Sequence, residues 1–231
     1  MTEQLAIPTS FLNDNGLNMH AVFNCSELPK SVLENLTLAF PEKCQLLMFA
    51  HGGKKFWEAL KKNDIQTENP VDDFSVHLIN QFFSKNFQQN KFEILYPKND
   101  FLDLQGLGKL AGWHNTSPFK LGINSEWGSW FAYRVIVLAD TQFQTTPYIG
   151  EESPCETCKE KPCISICPAN AMQSVDFDIT SCITYRKQDN SSCETQCISR
   201  LACPVGRSHQ YSVEQIHYHY SVSLKVIKQS F

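Results

Sequence analysis

The chain has 231 residues, with 20 Lys and Arg against 24 Asp and Glu, a formal charge of −4. At 42% hydrophobic residues it can bury a core, which excludes wholesale disorder. The acidic balance disfavours nucleic acid as a partner, because general basicity is what holds a phosphate backbone. No run approaches about 18 apolar residues, so neither a membrane helix nor a membrane partner is expected. Met1-Thr2-Glu3-Gln4 lacks the basic and apolar start of a secretory signal. A cytoplasmic protein with reduced thiols is the expectation.

Taken in chain order, residues 20–26 and 44–50 are short apolar runs bounded by Pro or Gly and predict strands. His51-Gly52-Gly53-Lys54 then marks a strand-to-helix junction. Backbone N–H groups there can hold an anion, although a tight turn is the simpler account of the glycines. Residues 54–62 read as a helix. Val71, Phe74, Leu78 and Phe82 recur at helical spacing after Asn69-Pro70, predicting a helix over 71–87. Residues 92–96 predict a strand, and 101–111 a helix closed by Gly112. Residues 120–124 and 130–139 read as the two arms of a hairpin around Glu126-Trp127-Gly128. A mixed set of this kind predicts an α+β layer domain. The tail from Ser212 predicts a final helix with Val213, Ile216, Tyr220, Leu224 and Ile227 on one face and Ser212 as its N-cap, with a strand as the alternative its β-branched content allows.

The cysteines are distributed unevenly. Two of the ten, Cys25 and Cys44, lie in the first 150 residues and read as small buried side chains. The other eight lie between 155 and 203, as Cys155-x2-Cys158-x4-Cys163-x3-Cys167-Pro168, then Cys182, then Cys193-x3-Cys197-x5-Cys203-Pro204. A cubane iron–sulfur cluster needs four thiolates, commonly three from one loop and one remote. In two-cluster ferredoxins the cysteine before proline ligates the other cluster. That rule assigns Cys155, Cys158, Cys163 and Cys203 to a first [4Fe–4S] cluster. Cys167, Cys182, Cys193 and Cys197 form the second, and no cysteine is left over. Two zinc sites and a disulfide knot are the alternatives. Zinc favours paired C-x2–4-C knuckles, and disulfides need an oxidising compartment. The spacings here are longer than those of the bacterial ferredoxin run. Four thiolates around each cluster core would also add roughly −2 of charge per cluster.

The remaining candidates surround the segment 113–134. Trp113, Trp127, Trp130 and Phe131 could wall a flat cofactor or pack as core, and Arg134 could clamp a phosphate or carboxylate or stand as a strand cation. His217 and His219 fall on different faces of a helix and do not form a metal pair.

Gly112-Trp113 and LGINSEWGSWFAYR at 121–134 precede the cysteine block by about twenty residues. That arrangement resembles epoxyqueuosine reductase, and Cys182-Ile183-Thr184-Tyr185 resembles the same family's isolated cysteine segment. Residues 127–134 are similar to CblC-type cobalamin-processing proteins. Cys203-Pro204-Val205-Gly206 and the histidine-bearing stretch 211–217 resemble bacterial ferredoxin-like proteins related to that reductase. The resemblance implies a nitroreductase/CblC-like N-terminal sheet-and-helix domain over 1–148, with cobalamin as its candidate cofactor. It further implies a ferredoxin-like dicluster module over 149–210 and a C-terminal helix over 211–231 packing back on the body. The implied function is an oxidoreductase whose two clusters pass electrons to a corrinoid or substrate. A small ferredoxin- or flavodoxin-type donor protein would supply them. A non-enzymatic electron carrier, or a cobalamin-binding and trafficking module, is the alternative. Three departures from the reductase stand out. Its proton-donating aspartate falls here on Tyr96, with Asp100 nearby. Its helical-repeat region has no counterpart before Phe231, and no Asp-x-His-x-x-Gly is present to place histidine on cobalt. Reduction of epoxyqueuosine in tRNA is therefore not expected.

Overall fold

One strand, 45–52, with the apolar run 46–50 at its centre, is buried along its whole length and organises the first of two units. The structure, a computed structural model, describes residues 5–33, 44–98, 102–147, 150, 152–174 and 176–230. The first unit comprises Met1–Gly112 and Phe131–Gly150; the second comprises Trp113–Trp130 and Glu151–Phe231.

In the first unit, α1 (Ser10–Asp14), β1 (Met19–Asn24), α2 (Lys30–Leu33) and β2 (Gln45–Gly52) come first. They are followed by α3 (Lys55–Lys62), α4 (Pro70–Asn86), β3 (Phe92–Tyr96) and α5 (Leu104–Leu110). The sheet is completed by a later strand that crosses it. Because β4 (Asn115–Thr116) and β5 (Gly122–Ile123) belong to the second unit, that strand is β6 (Phe131–Ala139). The order is β1-β2-β6-β3, antiparallel at every pairing. This is the mixed α+β architecture expected from the pattern.

Burial explains which stretches became central. Residues 46–50 of β2 and 135–139 of β6 are apolar without alternation, as strands covered on both faces must be. Phe82 of α4 meets Phe49 of β2 edge-on at 6.1 Å, and Phe83 stacks on Phe92 at 4.1 Å. Truncating a fully buried ring such as Phe82 costs about 3–5 kcal/mol. Gln45, polar and buried at the end of β2, is satisfied throughout. Its amide donates to the Phe143 carbonyl at 2.8 Å, and its oxygen accepts from Thr141 and from the Phe143 N–H. At the Gly52-Gly53 junction the Gly52 N–H donates to Asn18 Oδ1 at 2.8 Å, so this group closes a turn rather than facing an anion.

Two expectations need correction. The hairpin between 120–124 and 130–139 does not form. β6 pairs with β2 along its length and with β3 over Ile136–Ala139, whereas β5 pairs with β4 in a separate two-stranded sheet. Cys25 and Cys44 are buried as expected, but they are joined as a disulfide, with Cα atoms 5.6 Å apart, rather than reduced. The Cys25 N–H also donates to the Cys44 carbonyl, which brings the two side chains together at the start of β2. The helix expected over 101–111 is α5, closed by Gly112 with φ 72°. Phe101 and Asp100, together with residues 148, 149 and 151, lie outside the described residues.

The second unit carries short helices: α6 (Pro154–Thr157), α7 (Pro162–Ser165), α8 (Ile179–Lys187) and α9 (Ile198–Ala202), then the long α10 (Val213–Ser230). The Ser212 hydroxyl accepts from the Gln215 N–H at 3.2 Å and so caps α10 as expected. Ile216 and Leu224 are buried, but Val213, at the first position of the helix, is 67% exposed. Among the described residues no helix is long and apolar enough to cross a membrane.

Candidate metal centre

Proline spacing explains the first part of the cysteine block. Pro154 and Pro162 each start a one-turn helix, where a missing N–H costs nothing. Ser153 caps the first of these by accepting from the Cys155 N–H. Cys155 and Cys163 thus sit at the second positions of two short helices, with Cys158 closing the first and Cys167 following the second. Asp178 caps α8 by accepting from the Ser181 N–H at 2.9 Å, and this helix presents Cys182. Cys197 is the N-cap of α9, and Cys203 follows that helix directly.

All eight cysteines are free thiols; Cys163, Cys193 and Cys203 are buried and the rest half-buried. Their electrostatic neighbours fall into two sets. Burial pushes the Cys163 thiol up to about 11, and Cys203, Cys155 and Cys158 push in the same direction. Cys155 is raised by burial, then by Cys203 and Cys158. Burial likewise pushes Cys182 up to about 11; Cys197, Cys167 and Cys193 add to this, while the Arg186 guanidinium opposes it. Cys197 is raised by burial, with Cys193 adding and Arg200 opposing.

The surroundings are apolar. Cys163 and Cys203 pack with Phe119, Ile123 and Met172, and both Cys155 and Cys167 lie against the same cluster. A cavity of about 400 Å³ is lined by Cys167, Cys182, Cys193 and Cys197 together with Phe177 and Tyr220. Thiolates in such a shell are costly as lone anions and need a cation to accept them. Among the described residues, no three His, Cys, Asp or Glu side chains are placed to hold a single metal ion.

The other candidate residues serve separate contacts. Trp113, Trp127 and Trp130 belong to the second unit, Phe131 and Arg134 to the first. Trp130 is 1% exposed, with the Arg200 guanidinium 4.3 Å from its ring centre and Tyr211 edge-on. Trp127 packs on His209 at 4.4 Å, and the Trp113 carbonyl accepts from Asn124. Phe131 meets Tyr133 edge-on, while Arg134 pairs with Asp72 at 3.6 Å.

Two buried arginines, Arg186 and Arg200, were missed by the sequence reading. The signal was present: Arg186 follows Cys182 by four residues and Arg200 follows Cys197 by three, spacings that share a helix face.

No family model matches the chain, and no curated protein does. Solved structures do. Epoxyqueuosine reductase with an epoxyqueuosine-modified tRNA-Tyr stem loop aligns with TM-score 0.57 at 12% identity, over 90% of this chain and 66% of that one. The catabolic reductive dehalogenase NpRdhA, in complex with 3-bromo-4-hydroxybenzoic acid, aligns with TM-score 0.53 at 13% identity, over 92% and 33%. The B12-trafficking protein CblC of C. elegans, a homologue of human MMACHC, aligns with TM-score 0.50 at 14% identity, over 90% and 88%. The chain thus spans about 66% of the epoxyqueuosine reductase length. At these identities the likeness is one of fold, and the fold is that of epoxyqueuosine reductase and CblC.

Proposed function

We propose that this chain is an iron–sulfur redox protein holding two [4Fe–4S] clusters. Cys155, Cys158, Cys163 and Cys203 would hold one, and Cys167, Cys182, Cys193 and Cys197 the other. The observation that carries the reading is the grouping of eight free thiols into two sets of electrostatic neighbours within an apolar shell. The donor set fits a cubane better than zinc. Thiolates on one zinc ion converge at Zn–S distances of about 2.3 Å, whereas the corners of a cluster hold them further apart. The clusters would supply one-electron transfer when bound. The protein contributes the ligand spacing, the apolar shell and the neighbouring charges that tune potential.

The test is iron and acid-labile sulfide analysis of anaerobically purified protein. About eight of each per chain is expected; bound zinc without sulfide would overturn the reading. The electrons would come from a small ferredoxin- or flavodoxin-type protein.

Their destination in this proposal is a corrinoid, or a substrate, held by the N-terminal α+β unit. The fold shared with a B12-trafficking protein and with two reductases supports that extension. Trp130 and Phe131 are engaged in packing, so the fold rather than these rings carries the corrinoid reading. Titration with cobalamin should perturb its visible spectrum and leave corrinoid bound after desalting. The likeness to CblC over 88% of that chain also favours a second reading, cobalamin binding and trafficking without catalysis. Retained corrinoid that the reduced protein fails to reduce would select it.

A further inference from the structure

The two sets of thiols differ in the cations that face them. Arg186 and Arg200 are each 8% exposed. Arg186 donates from Nε to the Cys193 carbonyl at 3.2 Å, and from its terminal nitrogens to Ser223 Oγ at 3.1 Å and the Tyr220 carbonyl at 3.0 Å. Arg200 donates to Ser129 Oγ at 3.3 Å and to the Ser129 carbonyl, and its guanidinium lies on the Trp130 ring. Both line the cavity that Cys167, Cys182, Cys193 and Cys197 line. The cations beside the first set, Lys161 near Cys155 and Arg207 near Cys203, are exposed.

A buried charge acts through a low local dielectric and is little screened by salt; an exposed one is damped by water and counterions. Positive charge favours the more negative, reduced form of whatever the thiolates hold, and so raises its potential.

We propose that Arg186 and Arg200 keep the second site at the higher potential, making the first site the entry for electrons and the second the exit. The proposal rests on the iron–sulfur reading above. One electron moves at a time: the first site is oxidised and the second reduced, with no bond made or broken. A low-potential one-electron donor protein re-reduces the first.

The test is a potentiometric titration of the full chain, purified anaerobically and followed by electron paramagnetic resonance. Two couples are expected, and Cys203→Ser identifies the lower one by perturbing it selectively. Arg186→Gln and Arg200→Gln should each lower the upper couple by about tenfold in the reduced-to-oxidised ratio, which is about 59 mV for one electron. Arg186→Lys and Arg200→Lys keep the charge and should retain most of the gap, which separates electrostatics from packing. Lys161→Gln and Arg207→Gln should move neither couple as far. In the native protein the gap should persist in about 1 M salt. Coincident couples, a gap that collapses in salt, or equal effects of Gln and Lys would overturn the proposal. Protein without sulfide would remove the iron–sulfur reading and this inference together. Sulfide-bearing protein with unresponsive couples would overturn the inference alone.

Discussion

The backbone of Gly206 lies directly against that of Gly128, both residues in the left-handed region at φ 67° and 58°. A Cβ on Gly206 would fall within the Trp127 and Gly128 backbone, and one on Gly128 would meet the Val205 carbonyl. This contact seats the turn 124–128, itself closed by mutual hydrogen bonds between Asn124 and Gly128, on the segment that follows Cys203. Only two glycines permit it.

Gly206→Ala and Gly128→Ala are therefore expected to destabilise the protein by roughly 1–3 kcal/mol each. Urea unfolding followed by tryptophan fluorescence measures this. An unchanged midpoint for both would show that the contact contributes nothing.

Cys203→Ser removes one thiolate from the first set and none from the second. The expected result is loss of about half the iron and sulfide, with the second site's signal kept. Cys182→Ser should give the reverse pattern. Equal loss of both signals from either variant would contradict the grouping.

His20 lies on β1, its Nε2–H donating to the Leu17 carbonyl at 2.6 Å and its ring edge-on to Phe49. Burial lowers its pKa below 6.5, outweighing the opposite pull of that hydrogen bond. The folded protein then binds this proton less tightly than the unfolded chain. The stability contribution is complete above 6.5 and is lost as pH falls from 6.5 towards the folded value. His20→Phe, which keeps a ring against Phe49, should flatten that part of the pH profile. Parallel profiles for the two proteins would contradict it.

Ser212→Ala removes the side-chain acceptor that caps α10 and should cost about 1 kcal/mol. Ser212→Asp, which restores an acceptor, should recover it. Thermal melts of the three proteins distinguish a cap from an incidental contact.

Local chemistry and periodicity were sufficient for much of this molecule. The run at 44–50 read as a strand, Asn69-Pro70 as a helix start, and Ser212 as a cap. Each outcome depends on neighbours within a few residues. The crowding of eight cysteines between 155 and 203 was likewise legible, because spacing along the chain is a local property.

Tertiary structure decided what depends on distant partners. Residues 120–124 alternate like a strand, but the strand within them, β5, pairs with β4, while β6 pairs with β2 and β3. Cys25 and Cys44, 19 residues apart, became a pair only when β1 and β2 were aligned. Arg186 and Arg200 look like ordinary helix-surface cations in sequence. Burial against Tyr220, Ser223, Ser129 and Trp130 makes them fixed charges beside one set of cysteines. Net charge, −4 from composition, therefore says little about local potential: a charge acts according to its depth, and depth is set by packing.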